Sequence, residues 1–284
     1  MRSKLFVPGS SAPLFAKALA GHADAISVDL EDSVVDRRKS EARESVSEFL
    51  RSPEVSASNK VIVVRCNALN SDHFVHDLAA VVVPGLSLLN LPKVESSEDV
   101  LAAVAALEEA EAINNVTAPI RILATIESPK GLRQALQIAT AHSRMAGLQL
   151  GLSDLFEPLG MDRNDTANIH AAMFALRMAA GHAGIFAYDG AFTDVGNPQR
   201  FRAEAELAHR LGFWGKSCIH PSQVQVANEV FAPSEQDLAF ARRVLEACER
   251  AESEGVGVFM VDGRMIDLPL IRRAEVIVAA SRRS

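Results

Sequence analysis

Charged and polar side chains recur where short apolar runs of this chain end. One run ends in Asp29-Leu30-Glu31-Asp32, the next in Arg65-Cys66-Asn67, and another in Pro92-Lys93-Val94-Glu95. Later runs end in Glu127-Ser128, in Ser153-Asp154, in Asp189, and in Lys216 with His220-Pro221 beyond it. Carboxylates without companion thiols suit a hard divalent cation, Mg2+ or Mn2+, which takes oxygen ligands. Glu127 and Asp154 are the candidate metal ligands, because they close neighbouring runs and their side chains can meet over a shared axis. Magnesium takes one or two protein carboxylates and leaves its other positions to water and substrate oxygens. A cation so held is a Lewis acid that could polarise the carbonyl of a 2-oxo acid such as glyoxylate or pyruvate. Arg65 would stand beside the oxygen that turns negative when a carbon–carbon bond breaks to leave an enolate. Its guanidinium stays charged at any working pH.

Each of these residues also has a plainer reading. A lone Asp or Glu at such a place often caps a helix or sits on the surface. Ser128 and Ser153 could cap the helices that follow them. Asp29, Glu31 and Asp32 fit structural ion pairs as well as they fit support behind a metal and substrate. Lys93 and Lys216 could merely neutralise the acids. The histidines show no HxxxH or HxH spacing, which argues against zinc. His220 before Pro221 reads as a turn residue, and Cys66 as a packed thiol rather than a nucleophile. The case for function is the gathering of the whole set at one place.

The elements that must position this set are short runs rich in β-branched residues. Eight are read: Lys4–Val7, Ala25–Val28, Val61–Val64, Ser87–Leu91, Arg121–Ile126, Leu148–Leu152, Ile185–Tyr188 and Gly215–Ile219. Most are continuous rather than alternating, as parallel strands buried on both faces require. Helical patterns lie between them at Ala12–Ala20, Arg37–Arg51, Ser97–Ala112, Pro129–His142, Thr166–Ala180 and Gln199–Leu211. Alternating β and α units imply a parallel sheet with right-handed crossovers, and eight repeats fit an α/β protein of the (β/α)8 TIM-barrel class. No GxGxxG follows the first strand, which disfavours a dinucleotide-binding open sheet. In a barrel, the C-terminal strand ends converge on one mouth, which brings the charged set together.

After Ser222 the pattern changes. Ser234–Glu252 reads as one long helix with Ser as N-cap, Gly255–Asp267 as a hairpin turning at Asp262-Gly263, and Leu268–Ser281 as a last helix. The expected division is a catalytic barrel at 1–222 and a C-terminal lid at 223–284, packed on the barrel or on a neighbouring subunit.

The composition excludes several classes. A net charge of −7 over 284 residues disfavours nucleic acid as the main partner. The most apolar stretch, Leu78 to Pro92, is interrupted by Pro84 and Gly85 and is too short to span a membrane. The N-terminus lacks a long apolar run before a cleavage site, so no signal peptide is expected. Three cysteines without a CxxC pair make a poor disulfide framework and suit a reducing cytoplasm.

Several blocks carry a resemblance. LFVPGSSAPLFAKAL with ADAISVDLEDSV, VVRCN at Val63–Asn67, LPKVES at Leu91–Ser96, ATIESPKGL at Ala124–Leu132 and GKSCIHPSQ at Gly215–Gln223 follow one another in order. From about Leu5 to Leu270 the chain resembles the citrate lyase beta subunit and its malyl-CoA and citramalyl-CoA lyase relatives, in the HpcH/HpaI aldolase and citrate lyase superfamily. The resemblance implies a metal-dependent TIM barrel with Glu127 and Asp154 as magnesium ligands and Arg65 as the substrate-binding arginine. GRMIDLPLIRRAE resembles the lid of the malyl-CoA and citramalyl-CoA lyases, whose Asp acts as acid/base in a neighbour's active site; here that residue is Asp267. A homotrimer or hexamer is implied in the same way. The stretch LGLSDLFEPLG, Leu150–Gly160, departs from the family's FGAED wording while keeping the Asp.

The expected activity is Mg2+-dependent cleavage of a 3-hydroxyacyl-CoA to an acyl-CoA and a 2-oxo acid, with CoA entering as part of the substrate. Arg65, Glu127 and Asp267 form the expected catalytic set. Arg65, Asp29, Glu31, Lys93 and Ser153 form the expected substrate-binding set. Three rivals stand beside this reading: an aldolase for free 4-hydroxy-2-oxo acids, a Schiff-base aldolase using Lys93 or Lys216, and a non-catalytic subunit of a larger lyase complex.

Overall fold

The computed structural model describes residues 1–253, 255 and 257–281. Val256, inside the expected hairpin segment, lies outside the described residues. The chain forms two compact units, Met1–Val230 and Phe231–Ser284.

The first unit is built on eight parallel strands: β1 Ser3–Pro8, β2 Ala25–Asp29, β3 Val61–Arg65, β4 Leu88–Leu91, β5 Arg121–Ile126, β6 Met145–Leu150, β7 Phe186–Tyr188 and β8 Lys216–Cys218. Each pairs with its sequence neighbour, and β1 pairs in parallel with β8. The ring closes between β7 and β8 through an Asp189–Lys216 bridge, where the Asp189 N–H donates to the Gly215 carbonyl and the Ser217 N–H to that of Asp189. This is a closed (β/α)8 barrel, the TIM-barrel fold. The strands form where the sequence is continuously apolar: all five residues of β2 and all four of β4 are buried. Such strands are shielded from water by the barrel interior on one side and by helices on the other.

The helices of this unit are α1 Pro13–Ala20, α2 Lys39–Leu50, α3 Pro53–Ser56, α4 Phe74–Val81, α5 Ser97–Ile113, α6 Pro129–Arg133, α7 Ala135–Thr140, α8 Leu152–Phe156, α9 Thr166–His182, α10 Pro198–Arg210 and α11 Pro221–Val230. Their starts are chemically marked. Ser96 and Asp99 form a capping box on α5, Ser128 caps α6, Asp165 caps α9 and Asn197 caps α10. The expected helix Pro129–His142 is two pieces, with Gln134 at φ −98° and ψ 9° between them. Helix α11 completes the eighth β/α repeat. Its Asn228 side chain accepts from Ser3 Oγ at 2.7 Å and donates to the His22 carbonyl at 2.8 Å. The first unit therefore extends past the expected boundary at residue 222.

Polar side chains fill the barrel interior. Asn90 Nδ2 donates to Thr125 Oγ1 at 2.7 Å, and Gln149 Nε2 reaches the same hydroxyl at 3.4 Å. Lys4 Nζ and Ser217 Oγ both approach Gln149 Oε1. These bonds link β1, β4, β5, β6 and β8 across the axis.

In the second unit, α12 Glu235–Ser253 begins behind Ser234, whose hydroxyl accepts from the Asp237 N–H at 3.0 Å. A hairpin of β9 Phe259–Val261 and β10 Arg264–Ile266 follows. It turns through Asp262 at φ 49° and Gly263 at φ 76°, the left-handed pair of a two-residue hairpin loop. Helix α13, Leu268–Ser281, completes the unit, whose core is Ala241, Val244, Val261, Ile266 and Ala274. No helix among the described residues is long and apolar enough to cross a membrane.

Candidate active site

Arg65 ends β3 and Asp29 ends β2, and the two residues are paired in register. The guanidinium grips Asp29 with two hydrogen bonds, Nε to Oδ1 at 2.7 Å and Nη2 to Oδ2 at 2.8 Å. Its remaining nitrogen, Nη1, lies 3.0 Å from Glu31 Oε2 and 3.4 Å from Asp32 Oδ2. The Phe6 ring packs beside it, 5.2 Å from Cζ to centroid. Burial alone would raise the Asp29 pKa, but the Arg65 hydrogen bonds and charge bring it below the usual carboxylate range. Asp29 also accepts from the Glu31 and Ser33 N–H groups, at 3.0 and 3.1 Å. The result is a fixed cation on a rigid carboxylate base.

Glu127 follows β5 directly. Its Oε1 accepts from the backbone N–H of Lys93 at 2.7 Å, and Lys93 takes a left-handed φ of 54°. Lys93 Nζ meanwhile pairs with Glu31 at 2.7 Å. The Glu127 carboxyl is pushed up to about 7, by burial first and then by the charges of Glu31 and Asp154, against the opposing pull of the Lys93 N–H and Arg65. Gly151, one residue past β6, makes room for it. A Cβ there would lie 2.6 Å from Glu127 Cβ and 2.7 Å from Oε2. Asp154 follows in the first turn of α8.

A cavity of about 440 Å3 opens here, lined among others by Phe6, Asp29, Arg65, Glu127, Ser153 and Asp154. The donors fit a hard divalent cation. Two carboxylates share one cavity, and one is raised by burial and negative neighbours that a cation would offset. No group of three or more His, Cys, Asp or Glu able to hold a metal exists among the described residues. A cation would thus depend on two carboxylates plus water and substrate oxygens, the usual arrangement for magnesium.

Residues 2–221 match the HpcH/HpaI aldolase/citrate lyase family. The chain belongs to that family. It is 38% identical over 283 residues to the citrate lyase subunit beta of Haemophilus influenzae, covering 99% of this chain and 97% of the relative. It is 35% identical over 298 residues to the L-malyl-CoA/beta-methylmalyl-CoA lyase of Rhodobacter capsulatus, covering 98% and 93%. Among solved structures it is similar to the protein CitE from Mycobacterium tuberculosis in complex with magnesium, acetoacetate and coenzyme A. That match has a TM-score of 0.75 at 31% identity and covers 99% of this chain and 100% of the other. Family membership places the chain among lyases.

Against this family background, the expected ring of charges is only partly present at the mouth. Asp189 and Lys216 do not line the cavity. Lys216 Nζ lies 2.6 Å from Asp189 Oδ2 and 2.6 Å from Glu204 Oε1 of α10, so the pair sits in the layer between strands and helix. Glu95 turns to Ser128 Oγ at 2.7 Å and Lys130 at 3.2 Å. Asp154 is on a helix rather than at a strand end, because β6 stops at Leu150. Ser153 is inside α8, whose N-cap position is Gly151. Glu31 and Lys93 pair with each other beside the cavity and are not among its lining residues. Asp267 belongs to the second unit, where its Oδ1 accepts from the Leu270 N–H at 3.4 Å at the start of α13. Cys66 is fully buried against the Asn90 carbonyl, and His220 Nδ1 closes a turn with Ser222. Phe6, Thr125 and Gln149 line the cavity without having been singled out from the sequence. A glutamine inside the apolar run MAGLQL is the one signal that could have drawn attention.

Proposed function

We propose that this chain is a Mg2+-dependent carbon–carbon lyase that cleaves a 3-hydroxyacyl-CoA to an acyl-CoA and a 2-oxo acid. The observation that carries the reading is the placement of Arg65, clamped on Asp29, at the same cavity as Glu127 and Asp154. The relatives support it: one is named as a malyl-CoA lyase, and a similar structure holds magnesium with coenzyme A.

Glu127 and Asp154 would hold the cation. When bound, it would polarise the hydroxyl and carboxylate oxygens at the end that becomes the 2-oxo acid. A base takes the hydroxyl proton as that oxygen becomes the new carbonyl, and Arg65 neutralises the negative charge that gathers on the thioester oxygen as the carbon–carbon bond breaks. It needs no reorganisation for this, because Asp29 and Glu31 already fix its plane. Asp267 of a neighbouring copy in a trimer or hexamer supplies the proton to the acyl-CoA enolate. Glu31, Lys93 and Ser153 complete the substrate-binding set, Glu31 and Lys93 by holding Arg65 and Glu127 in place. The reaction belongs in the cytoplasm.

The 38% identity to citrate lyase beta subunits favours a second reading, in which the chain works only within a larger complex. Turnover by the purified chain with Mg2+ and malyl-CoA or citramalyl-CoA decides between them, and free 4-hydroxy-2-oxo acids serve as the competing substrates. Activity should vanish in EDTA and in Glu127→Gln. Full, magnesium-dependent activity in Glu127→Gln overturns the metal assignment.

A further inference from the structure

A buried lysine holds the turn that carries Asp29 and Glu31, and the chemistry so far does not use it. Lys39 is the first residue of α2 and is buried. Its Nζ donates to the Leu30 carbonyl at 2.8 Å, to the Glu31 carbonyl at 3.0 Å and to Asn67 Oδ1 at 2.6 Å. Three bonds account for its three protons, and none of the three oxygens is charged. Taking an ammonium out of water is costly, and a neutral donor would satisfy the same oxygens at less cost. Lys39 is not among the residues that line the cavity, so its effect must pass through the groups it holds.

Asn67 stands two residues beyond Arg65, and its amide orientation is set by its partners. Nδ2 donates to Asp77 Oδ2 at 2.6 Å and to the Leu30 carbonyl at 3.0 Å, both pure acceptors, which turns Oδ1 to Lys39. Asp77 is fully buried, accepts the Asn67 N–H at 2.8 Å and is itself held by Arg43 at 3.2 Å. Lys39 therefore joins two segments. Asn67 continues the chain beyond Arg65, and Leu30 and Glu31 continue it beyond Asp29. The turn after β2 carries Asp29, Glu31 and Asp32 within four residues, and their like charges repel one another. A cation on the carbonyls of that same turn opposes the repulsion and fixes where Asp29 and Glu31 meet the guanidinium.

We infer that Lys39 is a positioning residue for Arg65, bolting the acid-bearing turn to the segment that follows the arginine. Arg65 takes its plane from Asp29 at 2.7 Å and Glu31 at 3.0 Å, so a turn released from Lys39 releases the guanidinium with it. A displacement of about 1 Å at such a group costs up to about 100-fold in rate. The effect on rate rests on the lyase reading; the effect on the clamp does not.

Phenylglyoxal, which modifies arginines free of partners, tests the clamp without turnover, with the modified residues mapped by peptide mass. Arg144 and Arg163 are internal controls. Each pairs with a buried glutamate, and they leave 11% and 14% of the side chain exposed against 16% for Arg65. In Lys39→Met, Arg65 should react at least about fivefold faster than in wild type, with both controls within about twofold. Asp29→Asn, which loosens the clamp directly, supplies the scale. Lys39→Gln keeps amide donors without the charge, should expose Arg65 likewise, and carries the test where the methionine variant fails to fold. Unchanged protection of Arg65 in the folded variants overturns the assignment. Equal acceleration at all three arginines marks general loosening and overturns it too. In turnover, Lys39→Met should lower kcat by about tenfold or more with the oxo-acid KM changed by less than about threefold. Combined with Glu31→Gln it should lose no more than the worse single variant, because both act through Arg65, and additive losses count against the assignment. A wild-type chain without turnover sinks the lyase reading, and the arginine mapping still decides whether Lys39 holds the clamp.

Discussion

The backbone N–H of Lys93 donates to Glu127 Oε1 at 2.7 Å, and Lys93 holds φ at 54° to reach it. A left-handed φ costs a side-chain-bearing residue roughly 1–2 kcal/mol, and such strain persists only where the surroundings enforce it. Here it aims a backbone donor at the buried Glu127 carboxylate.

Lys93→Gly and Lys93→Ala both remove the ammonium that pairs with Glu31, but only glycine relieves the backbone. The glycine variant should be more stable than the alanine variant by about 1 kcal/mol in urea unfolding. Equal stabilities would show that the positive φ stores no strain.

The pH dependence follows from Glu127. Its folded pKa of about 7 lies above the ordinary 4.5, so the folded state holds its proton more tightly than the unfolded state does. The stability gained from that proton is complete below pH 4.5 and is lost as pH rises to about 7. Measured in EDTA, wild type should lose on the order of 2–3 kcal/mol relative to Glu127→Gln across that window. A difference that stays flat with pH contradicts a raised pKa.

Gly151→Ala tests the packing of the site. The added methyl meets Glu127 Cβ at 2.6 Å and Oε2 at 2.7 Å, and both belong to a buried side chain with little room to retreat. Glu127 must swing away from its present position. Mg2+ affinity, read by calorimetry, should weaken by at least about tenfold, as it does when a ligand loses its support. Unchanged affinity would separate Glu127 from the metal.

The eight strands were legible because parallel strands buried on both faces read as continuous apolar runs, as in Ala25–Val28 and Arg121–Ile126. The end of β6 was not. Leu150, Gly151 and Leu152 continue the apolar run, so nothing in the residue types marks the switch into α8 that carries Asp154. Strand ends also reveal position without reliably revealing the face. Asp189 and Lys216 stand at the right height but point toward α10, where Glu204, itself paired with Arg163, meets Lys216. Only the packing of α10 discloses that. Arg65 and Asp29 were separately legible, whereas their two-bond grip depends on a register that residue types do not specify.

Lys216 is fully enclosed between Asp189 and Glu204. Burial alone would lower its pKa, but the two carboxylates raise it above the ordinary value. A charged, inaccessible amine is no Schiff-base nucleophile. Borohydride with pyruvate should leave the mass of the chain unchanged. Lys216→Met should destabilise by about 3–5 kcal/mol, because Asp189 and Glu204 remain buried without their cation. A borohydride-trapped adduct on Lys216 would overturn this and restore the Schiff-base alternative.

Asp267 separates two roles that a single alanine variant would confuse. Its carboxylate accepts from the Leu270 N–H at the head of α13, and losing that cap alone could disturb the second unit. Asn caps a helix as well as Asp does but cannot deliver a proton. Asp267→Asn should therefore keep the wild-type melting temperature and lose roughly 100-fold or more in kcat, with the oxo-acid KM little changed. If the residue serves a neighbour's site, mixing Asp267→Asn with Glu127→Gln protomers should restore activity. In a randomly mixed oligomer, about a quarter of the sites regain both groups. No recovery on mixing, with each variant still oligomeric by light scattering, would confine Asp267 to its own chain or to its helix cap. Wild-type kcat in Asp267→Asn would leave the cap as its whole function.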